Sequence, residues 1–327
     1  MSNFSLYNRF TSQGTLTDPE EVPDPLFALP STVNWMRALA LLVHGRRLDH
    51  SSALAFYTSV QQRTSTLQQE NTVFEQLLFA AHQLSALSAL KMASSNADVA
   101  RVGIVAWYYG IYSAASAMVA AQDGSFQDDH TGTATTWDRQ FVASNKVMEP
   151  FTFRVSSLVK EIYTSEVNAL RDGNNFVLNE KPNDAFEASG ACCAYLSGSA
   201  KWWAWKTEQS LRKSRDFKEL NVSNFRTKAA RSLRDSRLTG KSVSFLHQAF
   251  RYRGKANYRE ALYLGYGNMT NTRLEGFIDD LEIVLQGFLA MAGAFVSKRI
   301  GQPLWCEFLN DLDKNRSFTL SPKAVWS

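Results

Sequence analysis

Cysteine, proline and alternating strand patterns are all scarce in this chain of 327 residues, and each shortage excludes something. Cys192, Cys193 and Cys306 are an odd number with two adjacent members, a poor disulfide framework that points to a reducing cytoplasm. No histidine or further cysteine lies near the pair in sequence, so Cys192 and Cys193 read as buried thiols. Eight prolines and a mean hydropathy of −0.25 exclude collagen-like and polytopic membrane chains. The opening MSNFSLYNRF has no basic start followed by an apolar run, so no secretory signal is expected. Catalytic signatures are also missing: there is no Gly-x-Ser-x-Gly elbow, no zinc spacing and no dinucleotide fingerprint. Gly240-Lys241-Ser242 resembles the end of a phosphate loop, but Asp235 stands where that loop needs glycine and no strand precedes it.

What is present is apolar and helical. Apolar residues make up 45% and aromatics 12%, enough to exclude a wholly disordered chain. Spacings of three and four join Phe74, Leu77, Leu78, Ala81, Leu84, Leu87 and Ser88 into one stripe, and Val155, Leu158, Val159, Ile162 and Tyr163 into another. Asn96 is placed to cap a long helix containing Trp107, and Thr272-Arg-Leu-Glu275 fits a capping box ahead of a helix over Ile278 to Val296. Turn chemistry is confined to Asp123-Gly-Ser125, Asp172-Gly-Asn-Asn175 and Gly265-Tyr-Gly-Asn268. The fold class expected is all-α.

No charge interrupts Val102 to Gln122, a run formally long enough to span a bilayer. Its many Ala, Ser and Gly residues favour a central helix wrapped by other helices, and Leu281 to Val296 reads as core by the same reasoning. A membrane-associated role is the less favoured alternative. Pro23, Pro25 and Pro30, mixed with Asp18, Glu20, Glu21 and Asp24, make residues 1–31 an extended acidic arm.

The net charge of +4 conceals a polarised chain. From Lys201 to Arg259 sixteen basic residues face four acids, a local charge of +12 that leaves −8 for the rest. Aromatics interleave with the cations, as binding of unpaired nucleic-acid strands requires. Candidate contacts are Arg226, Lys228, Arg231, Arg234, Arg237, Lys241, Lys255 and Trp205; Arg231, Arg234 and Arg237 recur every three residues and form one positive ridge. Most of Trp202-Trp203-Ala-Trp205 is expected in the core. Glu275, Asp279 and Glu282 share a helix face, but no histidine accompanies them, so dipole and solvent account for them and no metal is expected. Asp128 and Asp129 before His130 read as a helix start. With five histidines (His44, His50, His82, His130 and His247), acid–base chemistry has few candidates.

Ala106-Trp-Tyr-Tyr-Gly-Ile-Tyr-Ser-Ala-Ala-Ser-Ala-Met118, followed by Asp129-His-Thr-Gly132 opening a helix that carries Phe141, resembles the HEPN superfamily. Arg251-Tyr-Arg-Gly-Lys-Ala-Asn-Tyr258-Arg-Glu is similar to a late helix of that family. The resemblance covers about a third of the chain. It implies a HEPN-like bundle from 32–141 and 243–327, interrupted by a basic helical insertion over 142–242. It also implies a homodimer or larger complex in defence or toxin–antitoxin systems, with no cofactor. Catalytic members of the family cut RNA with an arginine followed four to six residues later by histidine. Here Arg253 is followed by Tyr258, a poor general base with its ordinary pKa near 10. Arg37 and His44 meet the spacing but lie outside the matched region. Two functions are therefore expected. One is a subunit binding RNA or single-stranded DNA. The other is a metal-independent endoribonuclease in which Arg251 and Arg253 stabilise charge and His247, His130 or Tyr258 moves protons.

Overall fold

The computed structural model describes residues 25–257, 261–265 and 273–327. The acidic arm up to residue 24, Tyr258, Arg259 and Thr272 of the expected capping box lie outside the described residues. The fold is all-α, and no strand occurs among the described residues.

Helix α1 (Pro25–Gly45) begins within the stretch expected to be extended and carries Pro30 inside it. It is followed by α2 (His50–Phe56), α3 (Leu67–Leu90), α4 (Asn96–Asp123) and α5 (His130–Trp137). A π-helical turn over Asp138–Val142 and an irregular segment lead to α6 (Lys160–Arg171) and α7 (Ala185–Lys213). Then come α8 (Arg215–Glu219), α9 (Lys228–Thr239), α10 (Phe245–Asn257), α11 (Leu262–Gly265), α12 (Phe277–Ile300), α13 (Gln302–Asn315) and α14 (Lys323–Trp326).

Two long, apolar helices form the centre: α4 packs along α3 and α12, and α12 also meets α1 and α2. Both are long and apolar enough to cross a membrane, yet most of each apolar stretch is covered by protein. Glycine permits their close approach. A Cβ on Gly103 would lie 2.8 Å from Ile278, and one on Gly110 would lie 2.7 Å from Leu285. Both pairs are separated by seven residues, so α4 and α12 run parallel with a repeating contact every two turns. Aromatic packing ties in the outer helices. Trp35 of α1 stacks on Tyr195 of α7 at 4.0 Å and meets Trp107 of α4 edge-on at 6.1 Å.

Several local expectations resolve differently. Val155 is not helical: it pairs in extended form with Val243 (N–H to O 2.9 and 3.0 Å), and α6 starts only at Lys160. The reason is a short period-two pattern, with Phe151, Phe153 and Val155 buried and Thr152 and Ser156 exposed. Asn96 does not cap α4; Ser95 precedes the helix, and the Asn96 side chain donates to Leu274 O at 2.8 Å. Gly276, with φ +73°, precedes α12 where the capping box was expected. Parts of the 142–242 segment pack on the helices that precede and follow it. Phe151 packs on Phe245 and Phe288 at 4.7 and 5.0 Å, and the first half of α7 lies buried against α1. Cys192 and Cys193 are buried thiols there, and burial raises the pKa of both.

Candidate functional site

Asp129 accepts from the backbone N–H groups of Thr131 and Gly132 at 2.9 and 2.8 Å, starting α5 so that His130 is its first residue. Two other helices converge on that histidine. From α4 come Tyr108, Tyr109 and Tyr112, with ring centroids 5.4, 5.8 and 4.5 Å from the imidazole. From α10 come Phe250, at 5.8 Å, and Arg253. The guanidinium of Arg253 rests over the rings of Tyr108, Phe250 and Tyr109 at 5.0, 5.0 and 5.9 Å. Its Nη1 donates to Tyr109 Oη at 3.3 Å and contacts His130 Nε2 at 3.2 Å.

This geometry fixes the imidazole tautomer. Arginine only donates, so His130 Nε2 must accept and carry no proton. The proton of neutral His130 therefore sits on Nδ1 and is donated to Tyr108 Oη at 2.9 Å. Burial lowers the His130 pKa, and the Arg253 charge lowers it further, against the opposing pull of Asp129. Burial raises the Tyr108 pKa, so its phenol stays protonated. Among the described residues no carboxylate pairs with Arg253. Its Nε is buried without a hydrogen-bond partner. The site thus holds a neutral imidazole beside an uncompensated cation.

His247, another candidate for proton transfer, has different surroundings. It is 6% exposed and takes the third position of α10, where its Nδ1 accepts from the Ser244 backbone N–H at 3.3 Å. Half of a capping box is thereby completed by histidine in place of glutamate. Burial pushes its pKa down to about 4, with Asp138 pulling it up and Arg154 pushing it down. Arg154 Nε and Ser242 Oγ satisfy that buried Asp138 at 2.8 and 2.5 Å. Arg251 points elsewhere, with its guanidinium over the Trp202 ring at 5.4 Å and Nη1 3.4 Å from Ser199 Oγ. Of the members of the expected catalytic set among the described residues, the structure brings together only Arg253 and His130. Tyr108, Tyr109 and Tyr112 were visible only as part of a family resemblance. The signal that could have marked them is three phenols at i, i+1 and i+4 in an otherwise uncharged run.

The basic residues of 201–241 lie on the outer half of α7, on α8 and α9, and, for Arg226 and Lys241, just before and just after α9. All four acids there are paired: Glu219 with Arg215 at 2.6 Å, Asp216 with Arg237 at 2.9 Å, and Glu208 and Asp235 with Arg234 at 3.8 and 2.8 Å. Arg234 and Arg237 are therefore partly neutralised. Lys201, Lys206, Arg212, Lys213, Lys218, Arg226, Lys228, Arg231 and Lys241 are exposed and have no carboxylate partner among the described residues. Trp202, Trp203 and Trp205 are all half-buried, contrary to the expected core placement. Trp202 and Trp203 carry Lys206 over their rings at 5.0 and 5.3 Å. Lys255, expected on this face, is 6% exposed; its Nζ lies 3.4 Å from Ser31 Oγ and Thr32 Oγ1 and 5.1 Å from the Tyr195 ring centroid. It serves the core. Asp279 and Glu282 of the acidic face on α12 hold Lys91 at 3.0 and 2.7 Å.

No protein-family model, curated protein or solved structure matches the chain.

Proposed function

We propose that this protein binds RNA or single-stranded DNA through the outer half of α7 and helices α8 and α9. In this reading it is a cytoplasmic HEPN-like subunit of a defence or toxin–antitoxin type system that assembles with itself or with partner proteins. One observation carries the proposal: nine exposed cations within 41 residues have no carboxylate partner among the described residues, while every acid among them is already paired. Such a surface repels itself and is stabilised by a polyanion. The half-exposed Trp205, with no ring or cation contact of its own among the described residues, offers a face on which an unpaired base can stack. The test is fluorescence anisotropy with a labelled single strand over a salt series. Affinity should fall linearly with salt on logarithmic axes. Lys228→Glu with Arg231→Glu should weaken binding and flatten that line by about 0.7 per lost phosphate contact on a single strand. Binding indifferent to salt, or unchanged in the double variant, refutes it.

The contact between Arg253 and His130 favours a second reading, a metal-independent endoribonuclease. There Arg253 would stabilise negative charge on the phosphorus oxygens while His130 Nε2 removes the attacking hydroxyl's proton. Purified protein with chelator and mixed RNA tests this. Cleavage that disappears in Arg253→Ala and in His130→Ala supports it, and no cleavage sinks it.

A further inference from the structure

We propose that Arg253 and His130 form a binding site for a phosphate-type oxyanion, and that filling it takes up one proton at His130. This goes beyond the reading above, because it requires neither the basic face nor the cutting of any bond.

The geometry gives three reasons. First, the Arg253 charge is held between rings rather than by an acid, and rings leave its outward N–H groups unspent. Nη1 makes two long contacts to neutral groups, at 3.2 and 3.3 Å, while Nε is buried with no partner and Nη2 makes no hydrogen bond among the described residues. A forked guanidinium with free donors is the side chain best matched to two oxygens of one anion. Second, the Arg253 contact to His130 Nε2 exists only while that nitrogen is unprotonated. Once protonated, both groups donate and both are positive, so they part unless an anion comes between them. The pair is a two-state element with neutral imidazole holding arginine in one state and both cations holding an oxyanion in the other. Third, Nδ1 is already committed to Tyr108 at 2.9 Å, so the proton taken up arrives at Nε2, the atom aimed at Arg253.

The groups facing His130 set the direction of the coupling. They are Tyr108, Tyr109 and Tyr112 from α4, Arg253 from α10 and Asp129 from its own helix. Burial is the largest opponent of the imidazolium and the Arg253 charge comes next, with Asp129 its ally, while Tyr108 remains a phenol because burial raises its pKa. An anion on Arg253 offsets the part of that opposition that comes from its charge.

The experiment follows the His130 imidazole carbon-bound proton by NMR from pH 8.5 to 5, with the signal assigned by its loss in His130→Asn. The probes are sodium sulfate, a dianion throughout this range, and dimethyl phosphate, a monoanionic diester. Saturating sulfate should shift the His130 midpoint upward, and sulfate affinity should strengthen with falling pH, approaching tenfold per unit where one proton is linked. An effect from sulfate alone assigns the site to a free or terminal phosphate group. An effect from both probes assigns it to an oxyanion that includes the internal phosphodiester. Arg253→Met keeps the stacked chain but not the charge; its His130 midpoint should rise without any anion and no longer respond to sulfate. Arg253→Lys, which keeps the charge without the fork, should retain a weaker response. A His130 midpoint identical with and without both probes overturns the proposal, as does an undiminished response in Arg253→Met. Because the readout is local to His130, failure here leaves the salt-dependent strand binding of the basic face standing, and the reverse also holds.

Discussion

Replacing His247 by glutamine should change how stability depends on pH far more than it changes stability at neutral pH. The folded protein holds His247 neutral, with its pKa pushed down to about 4 by burial against an ordinary value near 6.5. The unfolded chain therefore binds a proton at His247 first, and stability falls as pH drops below about 6.5 and continues to fall until about 4. A difference of about 2.5 units at 1.36 kcal/mol each corresponds to about 3 kcal/mol lost across that window. Glutamine at the third helical position can still accept from the Ser244 N–H, so the half capping box survives while the titration disappears. The assay is urea unfolding of both proteins at several pH values between 7.5 and 4.5. The difference between them should shift by up to about 3 kcal/mol in favour of the variant as pH falls. A difference that stays constant with pH refutes the assignment of His247 as a buried, neutral structural residue and returns it to the candidates for proton transfer.

Asp280 should act with the opposite sign, since burial raises its folded pKa to about 6 despite the Arg37 guanidinium at 3.0 Å. The folded state protonates first, so acidification from pH 7 to 4 should add about 2 kcal/mol through this residue. Asp280→Asn should lose that gain in the same urea series. Gly110→Ala should cost about 1–3 kcal/mol through overpacking, because the new methyl would press on Leu285; a thermal midpoint equal to wild type would contradict the parallel contact of α4 and α12. Trp35→Ala should cost about 3–5 kcal/mol, given its ring contacts with Tyr195, Trp107 and Tyr252. Lys255→Met should leave strand binding unchanged within twofold, because its ammonium faces Ser31 and Thr32, whereas Lys228→Met should weaken binding and lower its salt dependence.

The parts of this molecule legible in the sequence are those whose information is local. The stripe from Phe74 to Ser88 reads as a helix because the 3.6-residue period is contained within it, and α3 spans it. The concentrated charge was equally legible, since counting requires no partner, and 201–241 does carry the exposed cations. What failed were features decided by distant residues. Val155 looked helical beside Leu158 and Val159, but its fate is set by Val243 on the far side of four helices. Lys255 counted toward the basic window by its formal charge, yet Thr32 and Tyr195 take it inward. The same reasoning explains why the arginine's histidine partner was not identifiable from spacing. A family rule sought it four to six residues after Arg253, whereas the structure supplies His130 from 123 positions earlier, carried there by the Asp129 cap and held by Tyr108. Residue chemistry narrowed the choice to a few histidines, and burial separated them: a half-buried imidazole touching a cation can exchange protons with solvent, while His247 behind Trp203 is bound into the start of its own helix.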